Sequence, residues 1–220
     1  MSVNTDTYRS ISSLMDEKKV VLVAVSKTKP AEDIRALYEL GQRDFGENYV
    51  QELVDKQKEL PADIRWHFIG HLQSNKVKFI APFVHLIHGI DSLKLLKEVD
   101  KEAQKNNRTI DVLLQVHIAS EETKFGWDAA ELLEAAGNEV FFTQWPNVRI
   151  RGLMGMASFS DDPQKVRAEF HSLSELFVRL SERNKDLSIV SMGMSGDYRL
   201  ALEEGSTMVR IGSLLFGSRP

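Results

Sequence analysis

The feature that most constrains the fold of this chain is a regular alternation of short apolar segments with amphipathic helical segments. The apolar run at 20–25 is continuous, which is typical of a strand buried on both faces of a parallel sheet. The same reasoning predicts eight strands in all, at 20–25, 43–45, 66–70, 84–90, 111–118, 148–157, 187–192 and 207–211.

Helical segments separate these strands. Pro30 suits the first turn of one helix and Gly41 ends it, while Ser92 can cap another. An additional helix at 5–17 precedes the first strand, and the shortness of this N-terminal segment predicts that it is abbreviated. The helices between strands are predicted at 30–40, after Glu47, and at 74–80, 92–106, 128–136, 163–184 and 198–204.

Eight alternating units favour an α/β fold in which parallel strands close into a single-domain (β/α)8 TIM barrel spanning residues 1–220. A doubly wound open sheet is the alternative, but it has fewer strands and a glycine-rich turn after the first one. Here Lys27 follows the first strand in a turn without glycine. The composition shows no break that would mark a second domain.

Composition excludes several classes of function. The 220 residues contain no cysteine, so disulfides and thiolate metal sites are impossible. A net charge of −4 argues against a nucleic-acid binder, and charged residues along 50–60 predict an ordinary solvated helix face. The chain shows neither a signal peptide nor a membrane-spanning run, so we expect a cytoplasmic protein without membrane or nucleic-acid partners.

Polar residues follow the predicted strands at the end where a β/α barrel carries its site. The most informative is Lys27, because desolvation lowers the pKa of a lysine and a neutral amine can form a Schiff base with an aldehyde. Lys27 could instead pair with Glu47 or point into solvent. Lys29 and Lys124 are rival amines, and both are expected to be exposed. The remaining polar residues at this end include Ser26, Asn48 and His71.

Two further clusters follow the seventh and eighth strands, where barrels of this kind often bind phosphate. The first contains Met194, Ser195 and Asp197, and the second contains Arg210, Gly212 and Ser213. Glycine and serine expose N–H groups and hydroxyls that favour an anion. Tight turns that require small residues are the alternative explanation.

Weaker patterns favour no other chemistry. The segment 193–197 resembles the nucleophile elbow of a serine hydrolase, but Asp197 replaces the second glycine. The histidines lack metal-ligand spacing, so no metal site is predicted. Four methionines, at 154, 156, 192 and 194, are expected to fill the core.

Taken in order, these segments resemble one family closely. They are AVSKTKP at 24–30, FGENYVQE at 45–52, WHFIGHLQSNK at 66–76, RGLM at 151–154, SMGMS at 191–195 and VRIG at 209–212. The chain is similar to the pyridoxal phosphate homeostasis proteins, the YggS/PROSC family, from about residue 20 to residue 217. The run at 66–76 is very specific.

The resemblance implies a barrel like the N-terminal domain of alanine racemase, with pyridoxal phosphate bound as a Schiff base on Lys27. It also implies that Ser195, Gly212 and Ser213 hold the phosphate, that Arg210 faces the pyridine nitrogen and that Asn48 lies near the ring. Two residues depart from the family pattern: His117 stands where asparagine is common, and Ser213 replaces threonine.

The resemblance further implies a cofactor carrier or regulator of the pyridoxal phosphate pool, a monomer or weak dimer, whose partners include cofactor-free pyridoxal enzymes. A permanent cation at Arg210 should disfavour a proton on the pyridine nitrogen, which weakens the electron sink. Alanine racemase adds a tyrosine from a second domain supplied by its partner subunit, and we expect no such domain in this protein. We therefore expect no catalysis, against two alternatives: a small amino-acid racemase or lyase, and a lysine aldolase acting on a phosphorylated sugar.

Overall fold

The computed structural model describes residues 3–120, 125–138 and 140–217. Its strands close into a barrel in chain order, with every neighbouring pair parallel and β1 joined to β8. This confirms the predicted (β/α)8 TIM barrel. The strands are β1 Val21–Val25, β2 Asp44–Glu47, β3 Arg65–Phe68, β4 Leu86–Ile90, β5 Ile110–Gln115, β6 Val148–Met154, β7 Ile189–Ser191 and β8 Met208–Ile211.

The helices lie outside the barrel and cover its strands. They are α1 Thr5–Lys18, α2 Ala31–Glu39, α3 Val50–Glu59, α4 Val77–Ile80, α5 Leu93–Lys105, α6 Ala129–Ala135, α7 Pro163–Arg183, α8 Tyr198–Glu203 and α9 Ser213–Phe216, with a 3-10 turn at Ser74–Lys76. Each predicted strand and helix is present, with ends that differ by a few residues. Among the described residues, none of these helices is both long and apolar enough to cross a membrane.

Two helices differ from expectation. The N-terminal helix α1 is a full 14-residue helix rather than an abbreviated one, because Asn4 caps it and Tyr8, Ile11 and Met15 bury its inner face. The short helix α9 was not predicted at all. It begins directly after β8, and Leu215 and Phe216 bury it against the core.

The barrel interior and the layer between strands and helices are packed differently. A large apolar cluster fills the space under the helices, as the continuous apolar strands predict. A much smaller apolar cluster lies apart from it and contains Val23, Leu86, Leu113, Met154 and Met208. Buried polar side chains also lie on the strands, among them His67 on β3, His88 on β4, Ser191 on β7 and Arg210 on β8.

Candidate functional site

A cavity of about 760 Å³ opens at the carboxyl ends of the strands. Because parallel strands deliver their carboxyl ends to one face of a barrel, residues from distant parts of the sequence meet there. All six residues assigned to cofactor binding line this cavity: Lys27, Asn48, Ser195, Arg210, Gly212 and Ser213. The structure thus brings them together, and their role in binding stays a prediction.

Lys27 lies in a tight turn directly after β1. The N–H of Lys29 donates to the carbonyl oxygen of Ser26 at 3.0 Å, which closes the turn around Lys27. Thr28 has a φ of 64°, a left-handed conformation that is costly for a β-branched residue. Its N–H donates to Glu52 Oε1 at 2.6 Å. The turn is therefore held in a strained shape by contacts on both sides of Lys27.

A buried lysine on α3 supports this turn from behind. The Nζ atom of Lys56 donates to the carbonyl oxygen of Ser26 at 2.8 Å, and to Glu47 Oε1 and Glu52 Oε1 at 2.7 Å each. Only 7% of Lys56 is exposed. The expectation that 50–60 presents only a solvated face was therefore wrong at this residue, because α3 packs its Lys56 side against the end of β1.

Glu47 is fully buried beside this lysine. Its Oε1 atom accepts hydrogen bonds from Ser26 Oγ at 2.6 Å and from Lys56. Its Oε2 atom has no hydrogen-bond partner among the described residues. Burial raises the pKa of Glu47 to about 7, although the charge and hydrogen bond of Lys56 and the hydrogen bond of Ser26 act to lower it.

Asn48 follows β2, lines the cavity and carries a buried polar atom. Its Oδ1 atom is buried and has no partner among the residues that the structure describes. A buried acceptor without a donor is costly, so this atom is suited to accept a hydrogen bond from a bound ligand. Gly70 packs closely behind it, since a Cβ atom there would lie 2.4 Å from the carbonyl oxygen of Asn48.

The loops after β7 and β8 meet across the cavity. The N–H of Gly212 donates to Ser195 Oγ at 3.3 Å, so the two predicted phosphate clusters are in contact. Asp197 closes the first loop by accepting the N–H of Met194 at 2.6 Å. Gly193 has a φ of 94°, and a Cβ atom there would lie 2.6 Å from Ala201. Glycine is therefore required at this turn.

Arg210, on β8, is the buried cation of the site and is 3% exposed. Its Nη1 atom donates to the carbonyl oxygen and to Oγ of Ser191 at 2.8 Å and 2.6 Å, and its Nη2 atom donates to the carbonyl oxygen of Gly155 at 3.0 Å. Burial lowers the pKa of Arg210 to about 10, opposed by the charge of Asp197. The guanidinium therefore remains charged at neutral pH.

Several residues predicted near the site lie elsewhere. Ser26 and Glu47 are bonded to each other behind the Lys27 turn. His71 is exposed, 3.2 Å from Asp91 and stacked on Phe125. His117, which departs from the family pattern, is half-buried and is not among the described residues that line the cavity.

The expectations about the exposure of Lys29 and the burial of the methionines also need correction. Lys29 is half-buried and lines the cavity, so the expectation that it is exposed was wrong. Lys124 lies outside the described residues. Met154 and Met192 fill the core as predicted, whereas Met156 and Met194 line the cavity or stand at its edge.

At the opposite end of the barrel, Asp44, His67 and His85 place possible metal-ligand atoms within 4.8 Å of one another. Asp44 is already paired there, because Arg65 donates to Oδ1 at 2.7 Å and to Oδ2 at 2.5 Å. A guanidinium bound to both carboxylate oxygens disfavours a second cation. The absence of a metal site stays a prediction.

The barrel and its cavity define the class of protein. The family model for the N-terminal domain of alanine racemase matches residues 5–220. Consistent with this, the alanine racemase of Streptomyces lavendulae superposes with a TM-score of 0.80 at 17% identity, over 99% of this chain and 58% of that one. At that identity the likeness concerns the fold alone.

Two closer relatives narrow the class. A pyridoxal phosphate homeostasis protein of Aquifex aeolicus is 45% identical over 200 residues, which cover 90% of this chain and 86% of the relative. PipY of Synechococcus elongatus PCC7942, solved with pyridoxal phosphate bound, has a TM-score of 0.85 and 37% identity, over 96% of this chain and all of that one (100%). This chain belongs to the family of pyridoxal phosphate homeostasis proteins, as the sequence resemblance implied.

Proposed function

We propose that this protein binds pyridoxal phosphate through Lys27 and acts in the homeostasis of that cofactor. The observation that carries the proposal is the single cavity shared by Lys27, Asn48, Arg210 and the Ser195–Gly212 contact. PipY, which has the same fold and is 37% identical, was solved with pyridoxal phosphate bound.

The cavity residues fit the chemical groups of this cofactor. The hydroxyls of Ser195 and Ser213 are suited to a phosphate, and Gly212 lies beside them. The unpartnered Oδ1 of Asn48 can accept a hydrogen bond from the ring substituents. Arg210, a donor without acceptor capacity, suits an unprotonated pyridine nitrogen. When bound, the cofactor supplies an aldehyde that condenses reversibly with an amine.

Different residues of the cavity have different roles in binding the cofactor. The turn closed by Ser26 and Lys29 orients Lys27, and Lys56 supports that turn. Arg210 keeps its charge in the cavity wall, where a cation disfavours a proton on the ring nitrogen. A ring that is not protonated is a weaker electron sink, so the site supports storage and exchange of the cofactor rather than amino-acid catalysis.

The first test is covalent capture at Lys27. Purified protein is titrated with pyridoxal phosphate, reduced with borohydride and digested for mass spectrometry, beside Lys27→Ala and the control Lys29→Ala. We expect a visible absorption band that borohydride bleaches, with the label on Lys27, in the wild type and Lys29→Ala but not in Lys27→Ala. A label on Lys29 in the wild type, or no label at all, would refute the assignment.

The second test separates delivery from catalysis. Loaded protein is mixed with a cofactor-free pyridoxal enzyme, and the gain of activity is compared with the rate at which the cofactor dissociates spontaneously. Activation faster than that rate supports transfer to partner enzymes. Steady turnover of an amino acid by the purified protein would instead support the racemase or lyase alternative. The cytoplasmic location, the monomeric or weakly dimeric state and the absence of nucleic-acid and membrane partners stay predictions.

A further inference from the structure

A continuous chain of hydrogen-bonded side chains crosses the barrel from the cavity to its opposite end. Arg210 Nη1 donates to Ser191 Oγ at 2.6 Å, and Ser191 Oγ lies 3.1 Å from His88 Nδ1. His88 Nε2 lies 3.0 Å from His67 Nδ1, and His67 Nε2 lies 2.9 Å from Asp44 Oδ1. The chain joins β8, β7, β4, β3 and β2.

The two ends of this chain fix the direction of its outer hydrogen bonds, and a neutral His67 then fixes the direction of the bond between the two histidines. Arg210 can only donate, so the Ser191 hydroxyl accepts from it and its own proton is available to His88 Nδ1. Asp44 can only accept when ionised, so His67 carries its proton on Nε2. When His67 is neutral, its Nδ1 can only accept, so His88 carries its proton on Nε2 and donates it to His67 Nδ1.

The electrostatics agree with this assignment. Burial lowers the pKa of His88 well below the ordinary histidine value, and the charge of Arg210 acts in the same direction, so its ring is neutral. Burial acts to raise the pKa of Asp44, but the hydrogen bonds of Arg65 and His67 and the charge of Arg65 outweigh it and hold that pKa well below the usual range. Asp44 is therefore ionised at neutral pH and can only accept.

We propose that His88 and Ser191 are positioning residues that orient Arg210 toward the cofactor site, and that the His67–Asp44 pair fixes the tautomer of His88 which this orientation requires. His88 draws the Ser191 proton away from the guanidinium, so a lone pair of Ser191 Oγ faces Arg210 Nη1. The proposal adds positioning residues to the cofactor site and rests on the proposed cofactor-binding function. The tautomer of His88 does not depend on that function, because it is a property of the protein alone.

The alternative explanation, that these polar side chains only fill space in the barrel interior, is energetically unfavourable. Interiors of β/α barrels are filled mainly by branched apolar side chains, and two buried imidazoles with a buried guanidinium are costly unless every polar atom is satisfied. In this barrel the apolar residues Leu86, Leu113 and Met154 belong to a separate small cluster on β4, β5 and β6. The polar chain ends at a residue in the cavity wall, Arg210, so its geometry bears directly on that wall.

The first arm of the test reads the tautomers in protein without added cofactor. Side-chain ¹⁵N NMR of histidine-labelled protein, assigned with the His67→Gln and His88→Asn variants, reports which ring nitrogen carries each proton. We expect His67 and His88 both protonated on Nε2 alone at neutral pH. A proton on Nδ1 of His88, or on both of its nitrogens, would overturn the proposal whether or not the protein binds pyridoxal phosphate.

The second arm reads the cofactor site. His88→Asn keeps an amide oxygen near the position of Nδ1 and can still accept from Ser191, whereas His88→Phe cannot. Met154→Leu is the matched control, because it changes the barrel interior without touching the chain. Each variant is titrated with pyridoxal phosphate, and both the dissociation constant and the absorption maximum of the bound cofactor are recorded.

We expect His88→Phe to weaken binding about tenfold or more and to shift the absorption maximum, with His88→Asn and Met154→Leu within about threefold of the wild type. Equal behaviour of the three variants would overturn the proposal. If His88→Phe fails to fold, His88→Asn is compared with Ser191→Ala instead. We expect Ser191→Ala to show the weaker cofactor binding and the shifted absorption maximum, and His88→Asn to resemble the wild type. Failure of the wild type to bind would instead refute the proposed function and leave the tautomer assignment to the first arm.

Discussion

The buried carboxyl group of Glu47 should make the stability of this protein depend on pH in an unusual direction. Its pKa is about 7 in the folded protein, against 4.5 for an ordinary glutamate. The folded protein therefore binds more protons than the unfolded chain between these values. Its stability is fully present below about pH 4.5 and falls as the pH rises toward about 7.

The perturbation is Glu47→Gln, which keeps an acceptor for Ser26 and Lys56 but cannot ionise. At about 1.36 kcal/mol for each pH unit between the two pKa values, the wild type should lose at most about 3 kcal/mol relative to the variant across this range. The pKa of about 7 already includes the charge and the hydrogen bond of Lys56, so that attraction is not counted a second time.

Urea denaturation of both proteins from about pH 4 to about pH 8 gives the free energy of unfolding as a function of pH. Other titrating groups cancel in the difference between the two curves, so the fall assigned to Glu47 should remain. Glu52→Gln is the control, because Glu52 also bonds Lys56 but its side chain is 22% exposed. A difference curve that is flat, or that rises with pH, would show that Lys56 keeps Glu47 ionised and would refute the reasoning.

Two other predictions concern the supports of the site. Gly70→Ala should destabilise the protein by about 1–3 kcal/mol and weaken cofactor binding, because its Cβ would displace the carbonyl of Asn48. Gly196→Ala, whose new methyl meets no described atom within 4 Å, should leave the free energy of unfolding nearly unchanged, and equal losses in the two variants would contradict the packing argument. Lys56→Met should cost about 3–5 kcal/mol in urea denaturation at about pH 8, since it leaves Glu47 buried without its cation. Adding Glu47→Gln should recover part of that loss, and a cost below about 1 kcal/mol for Lys56→Met alone would show that the pair contributes little.

Much of the barrel follows from local sequence patterns. A strand buried on both faces requires a continuous apolar run, and β1 shows it as VLVAV at Val21–Val25. Helix ends also follow from local sequence, because a capping side chain lies within a few residues of the group that it caps. For example, Ser92 Oγ accepts the N–H of Leu95 at the start of α5. Because the carboxyl ends of parallel strands all face one way, the sequence also predicted that Lys27, Ser195 and Arg210 would share a face.

The parts that sequence reasoning missed are contacts between elements. Lys56 is one of several lysines and glutamates on α3, and only the packing of that helix against β1 shows which of them is buried. His67 and Asp44 lie 23 residues apart, and His88 and Ser191 lie 103 residues apart, so no local pattern joins them. The lengths of α1 and α9 likewise depend on the apolar surface that each covers.

The sequence by itself determined the order and type of the elements, the barrel class and the cluster of residues around the cavity, because periodicity, caps and strand direction are properties of short segments. The tertiary structure alone decided what holds that cluster in place: the Lys56–Glu47 pair behind Lys27 and the polar chain behind Arg210. Burial and hydrogen-bond partners depend on the register between strands and on helix packing. The sequence around a polar side chain does not show whether that side chain will be buried or exposed in the fold.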